Sequence, residues 1–215
     1  MKLIDVTGPL ENGMWSYPDP YPKVRIEEIG MPDWVPYDTF SWVFTLGAQN
    51  GTYLETAAHM FRGATTIDEV PLDRLFLEAA VIQLPDKEPS SAITVDELKN
   101  ADIDIKPGEA LLVSTGWDSK WHDADFVAAC PFFTLEAMEW IFDQGVSLMG
   151  ADLPRFDSWE APQEFFAEFF RRDILLLAPL VNLRAIGQPR VRLVALPLKV
   201  KGVCGTPCRA VVLED

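Results

Sequence analysis

Gln49-Asn50-Gly51-Thr52-Tyr53-Leu54-Glu55-Thr56-Ala57-Ala58-His59 is the stretch around which the chain is organised. Its polar groups Gln49, Tyr53, Glu55 and His59 fall on odd positions. Successive side chains of an extended strand alternate faces, so residues two apart share one. An extended run here would point an amide, a phenol, a carboxylate and an imidazole into one space, with Gly51 leaving room for a ligand. That set serves proton transfer or metal binding. The even positions are mixed and mostly small.

The spacing resembles the H-x-G-T-H-x-D-x-P-x-H motif of the cyclase family that includes bacterial kynurenine formamidases and isatin hydrolases. Gly51, Thr52 and His59 match that pattern, and Glu55 stands where the family has Asp. Gln49, Tyr53 and Ala57 stand where it has His, His and Pro. Further segments fall in family order: Thr115-Gly116-Trp117, Gly150-Ala151-Asp152, Arg172-Asp173-Ile174, and Leu196 through Ala210. The resemblance implies the strand-rich mixed α/β, swivelling β/β/α fold of that family, assembled as a homodimer or homotetramer.

Length and composition set the outer limits. At 215 residues with 48% hydrophobic side chains, the chain reads as one domain, residues 1–215, with a sizeable core. The resemblance implies that residues 8–37 make a Pro- and aromatic-rich arm or loop near the site, the alternative being a packed irregular loop. A net charge of −15 with no basic cluster argues against nucleic acid as a partner. No apolar run has transmembrane length, and no apolar signal region precedes the first acid, so a cytoplasmic protein with no membrane partner is expected. Three cysteines make no disulfide framework.

Strands dominate the local reading. Val24–Ile29 alternates as a half-buried strand, and 40–46 leads into the central motif. Segments 78–84, 110–115, 146–150, 174–177, 191–198 and 208–213 read as further strands. Thr94 with Glu97 forms a capping box for a short helix. Thr134 caps a helix over 135–144, and 164–172 is a third helix. Periodicity alone gives α+β with a strand majority.

The family's hydrolases hold one or two divalent cations through several histidines, an Asp and a late Glu. This chain has two histidines, His59 and His122. The family's late His aligns near Phe166 or Ala167, and its late Glu near Ala178. A multi-histidine centre is therefore excluded. Glu55 and His59 alone are few ligands for zinc, so no cofactor is expected, with those two residues the ligands if any ion binds. Cys204 and Cys208, three residues between them, fall short of a zinc site and read as small residues beside a turn.

Without a metal, Glu55 would orient His59 as general base, and Tyr53 and Gln49 would donate hydrogen bonds to a carbonyl or oxyanion. Trp15 and Tyr17 are candidates to stack on a substrate ring, with Trp34 and Trp42 near the mouth. Arg155 is a candidate for a substrate carboxylate, its other role being an ion pair with Asp157, and Asp152 is a secondary candidate. His122 reads as a surface residue. The resulting expectation is an enzyme acting on a small amide, lactam, lactone or cyclising carbonyl compound by metal-independent acid–base catalysis. The alternatives are a sparse-site metal-dependent amidohydrolase and a non-catalytic ligand-binding member.

Overall fold

A computed structural model describes residues 1–214. Its strands are β1 (Lys2–Asp5), β2 (Arg25–Ile29), β3 (Ser41–Thr45), β4 (Tyr53–Glu55), β5 (Phe76–Gln83), β6 (Ala92–Ile93), β7 (Ala110–Ser114), β8 (Phe132–Phe133), β9 (Leu148–Ala151), β10 (Leu175–Ala178), β11 (Arg190–Pro197) and β12 (Gly205–Glu214). The helices are α1 (Val95–Asn100), α2 (Leu135–Asp143) and α3 (Phe166–Arg171). Both predicted caps are in place. Thr94 and Glu97 close a capping box on α1, and the Thr134 hydroxyl accepts from the Ala137 amide at the start of α2.

The main sheet runs β1-β12-β11-β5-β7-β9-β10-β4, and β4 also pairs with β12. Seven strands therefore close into a barrel, with β1 added outside. Closure depends on the length of β12. Its first residues, Gly205–Pro207, pair with β4, while Val211–Glu214 pair with β1. Strands β5, β7, β9 and β10 are parallel, and such crossovers need a long connection, supplied here with α1, α2 and α3.

Of these, β7, β9 and β10 read as apolar runs because both faces are covered, whereas β5 is buried only over Ala79–Ile82. Alternation sorts the two sides. Leu54, Leu112, Leu148, Leu175 and Leu177 pack together inside the barrel. Tyr53, Leu111, Val113, Met149, Leu176 and Ala178 face outward against the helices. Each fully buried leucine contributes about 2 kcal/mol. Glu55 pairs with Leu176, and Ala178 with Tyr53, so the functional face of β4 lies on the helix side. The site is built there, outside the barrel.

β2 and β3 form a separate two-stranded hairpin. Sequence alternation suggested a half-buried β2, but its residues are mostly exposed. The hairpin leaves Trp34 81%, Phe40 74% and Trp42 51% exposed. Among the described residues, no helix is long and apolar enough to cross a membrane.

Candidate functional site

The central stretch does not stay extended. Only Tyr53–Glu55 is strand; Gln49 lies in the preceding turn and Ala57–His59 winds into a 3₁₀ turn. Thr56 makes that turn: its hydroxyl accepts from the Ala58 amide and its carbonyl from the His59 amide. The chain thereby folds back on itself, and Gln49, Tyr53, Glu55 and His59 all line one cleft of about 380 Å³. The four polar groups converge as expected, through a turn at each end rather than along one strand.

Glu55 is the hub. Its Oε1 accepts from Gln49 Nε2 at 2.6 Å and lies 3.0 Å from His59 Nδ1. Cys204 approaches the same point, with Sγ 3.9 Å from both Glu55 Oε1 and His59 Nδ1. Cys204 comes from the loop before β12, and its carbonyl accepts from both the amide and the hydroxyl of Thr56. The Cys204 sulfur and the Glu55 carboxylate, working against burial, hold the His59 pKa up at about 10. His59 therefore carries a proton at neutral pH and is a proton donor in this state, where sequence reasoning cast it as a base.

Tyr53 is buried, and its hydroxyl lies 3.3 Å from that of Tyr17. Tyr17 donates to the Pro154 carbonyl, which has no proton to return. Tyr17 oxygen must then accept from Tyr53, and the Tyr53 oxygen keeps lone pairs for the cleft. Burial raises both phenol pKa values, keeping both groups protonated. Tyr53 is thus an acceptor here, not the expected oxyanion donor. The remaining wall is apolar and aromatic, including Phe156, Trp159, Phe166, Phe170 and Leu176. The Phe170 ring sits 5.8 Å from that of His59. Sequence reasoning missed these α3 and loop aromatics as site residues, because their apolar pattern is indistinguishable from core.

Several expected site residues have other roles. Trp15 is buried in the core, 5.4 Å from the Trp121 ring and 5.3 Å from Phe126, and does not line the cleft. Gly51 leaves no room for a ligand. A Cβ there would come within 2.7 Å of Leu10 Cδ2, and its φ of +64° is left-handed. Asp152 is fully buried under β7, where its carboxylate accepts from the Thr115 amide and hydroxyl and the Gly116 amide. Burial pushes its carboxyl up to about 6 against those donors. Arg155 touches the cleft, but its guanidinium is committed to the carbonyls of Val127, Ala128 and Asp157 and stacks on Trp159. Its bond to Asp157 is to the backbone, not the carboxylate. Trp34 and Trp42 sit on the exposed hairpin and do not line the cleft. His122 is exposed and paired with Glu11.

The family profile described as "Putative cyclase" matches residues 4–158. The chain is 27% identical to an isatin hydrolase of Roseibium aggregatum over 89% of this chain and 81% of that protein. It is 30% identical to a kynurenine formamidase of Bordetella avium over 79% of this chain and 78% of that protein. Among solved structures, isatin hydrolase A from Ralstonia solanacearum superposes with a TM-score of 0.84 at 23% identity, covering 100% of this chain and 92% of that one. A structure titled as a potential metal-dependent hydrolase with cyclase activity gives 0.79 at 21% identity, covering 100% and 99%.

The donor atoms at the cleft decide which residues here could hold an ion. Phe166 and Ala178 are apolar and fill the positions where late ligands would align. Among the described residues, one group of donors remains: Glu55, His59 and Cys204, whose ligand atoms all lie within 4.8 Å of one another. Carboxylate, imidazole and thiolate are all metal donors, so the trio fits a single ion. Only two of these donors were expected; the third arrives from the loop before β12.

Proposed function

Because this chain belongs to the cyclase family and is a hydrolase-like enzyme of the isatin hydrolase and kynurenine formamidase kind, we propose that it hydrolyses a small aromatic amide or lactam in the cleft at Tyr53, Glu55 and His59. The observation that carries this reading is the Glu55–His59 pair at 3.0 Å, set in a largely aromatic wall. Its relatives' names supply the reaction class: one is a hydrolase of isatin and the other a formamidase.

The roles follow from the atoms on offer. His59 Nδ1 is engaged by Glu55 and Cys204, leaving Nε2–H for the substrate. The Tyr53 oxygen accepts a substrate N–H, and the aromatic wall holds an apolar ring. Glu55 has a second oxygen to take a proton from an attacking water. Water oxygen then bonds to the carbonyl carbon, the C–N bond breaks, and His59 gives its proton to the leaving nitrogen. The dyad resets when Glu55 releases its proton to water and His59 Nε2 takes one back from it. A metal held by Glu55, His59 and Cys204 would supply Lewis-acid polarisation of a carbonyl.

The test is hydrolysis of a panel of N-aryl amides and lactams by the wild type and by His59→Gln. Turnover by the wild type, reduced about 100-fold or more in His59→Gln, is the expected result. A wild type that binds panel members without turnover would instead identify a ligand-binding protein.

The same family expectation covers assembly. The exposed β2–β3 hairpin, with Trp34, Phe40, Trp42 and Phe44 in water, is the face that a second copy of this chain would cover.

A further inference from the structure

We propose that Glu55, His59 and Cys204 form a binding site for one soft divalent cation, and that the Cys204 thiolate makes it selective for zinc or cobalt over magnesium and manganese. The three ligand atoms form a triangle with edges of 3.0, 3.9 and 3.9 Å. A tetrahedral ion at metal–ligand distances of about 2.0–2.3 Å places its ligand atoms about 3.3–3.5 Å apart. Each edge therefore needs to change by roughly 0.5 Å or less, within the reach of small side-chain rotations.

Backbone geometry holds the donors together. Thr56 fixes two of them at once: it winds the turn that carries His59, and it donates twice to the Cys204 carbonyl at 2.8 and 3.0 Å. Gly205 pairs with Glu55, where a Cβ would come within 2.8 Å of the Leu54 carbonyl, so the thiol-bearing loop can approach β4 closely. Cys130 and Cys208 are buried and, among the described residues, belong to no such donor group. Glu55 and His59 both line the cleft, so an ion held by the trio would sit at its edge. Three protein donors and an open position is the form that catalytic zinc sites take.

Selectivity follows from donor softness. Thiolate and imidazole suit zinc and cobalt, whereas magnesium and manganese favour oxygen donors and keep more water. Removing Cys204 would leave the two-donor site that holds an ion poorly. The proposal shares its residues with the hydrolase reading but does not depend on turnover.

The experiment is a Co2+ titration of the full-length protein after chelator treatment, followed by absorption. One equivalent should bind with a sulfur-to-cobalt charge-transfer band, Zn2+ should abolish the band, and Mg2+ or Mn2+ at equal concentration should leave it intact. Cys204→Ala should lose the band and weaken binding by at least about tenfold, while Cys130→Ala keeps both. Thermal melts of each variant establish that it is folded, and Cys204→Ser serves should the alanine variant fail to fold. Binding without the band, unchanged affinity in the Cys204 variant, or no binding by the wild type would each overturn the proposal. An intact band without hydrolysis removes the hydrolase reading alone; hydrolysis without the band removes the metal site alone.

Discussion

The hydroxyls of Tyr17 and Tyr53 lie 3.3 Å apart, and Tyr17 donates its O–H to the Pro154 carbonyl, so in this pair Tyr53 is the donor and the Tyr17 oxygen accepts. This fixes the polarity of the cleft at that point. A substrate N–H finds an acceptor; a ring oxygen in the same place meets lone pairs.

Discrimination between a lactam and its lactone isostere should therefore depend on Tyr53. One hydrogen bond is worth about 1 kcal/mol, so kcat/KM should favour the lactam by about five- to tenfold after correction for intrinsic reactivity. In Tyr53→Phe that corrected ratio should fall to about one. Equal ratios in the two proteins would show that Tyr53 does not contact the nitrogen.

The His59 pKa gives a pH dependence of stability with a definite sign. Its proton is bound more tightly folded than unfolded, rising from the ordinary 6.5 to about 10 through Cys204 and Glu55. The stabilisation is fully present below pH 6.5 and is lost as pH rises towards and through 10. Urea unfolding of the wild type and His59→Gln should show a gap that narrows across this window. In NMR titration of the metal-free protein, Glu55→Gln should lower the imidazole pKa. A wild-type imidazole that titrates near 6.5 would contradict the pairing.

Asp152 is a structural carboxylate. Asp152→Ala would strand the buried amides of Thr115 and Gly116 and the Thr115 hydroxyl. Stranding such donors typically costs 1–3 kcal/mol each, so a loss on the order of 3 kcal/mol or more is expected in chemical denaturation. If the variant folds, its Co2+ band should be unchanged, because Asp152 does not line the cleft.

Gly51→Ala combines a left-handed backbone with a contact against Leu10. Destabilisation of at least about 1 kcal/mol is expected, read as a fall in Tm. A neutral substitution would mean that the Leu10 side chain moves aside without cost.

The exposed hairpin makes a prediction about assembly. Sedimentation of the wild type should give a dimer or larger, and Trp34→Glu combined with Phe40→Glu should shift it towards the monomer. A monomeric wild type would leave the apolar face to some other partner.

The sequence by itself determined the features that arise within a few residues. Helix caps at Thr94 and Thr134 were legible because capping is a contact across three residues. The apolar strands at 110–115, 146–150 and 174–177 were legible as short continuous apolar runs, whereas the alternation over Val24–Ile29 buries Val24 and leaves most of the rest exposed. Counting histidines excluded a multi-histidine centre before any coordinates. The tertiary structure alone decided what meets across the chain. The β4–β12 register, with Gly205 opposite Glu55, brings Cys204 to a histidine 145 residues away. Tyr53 lost its donor role to Tyr17 and the Pro154 carbonyl, 137 residues from Tyr17. Trp15, Gly51 and Asp152 carry the residue types of a site yet face the core, because only packing settles which side of a loop is inside. Local periodicity fixes what a segment can be, whereas long-range pairing fixes which side chains share a cleft.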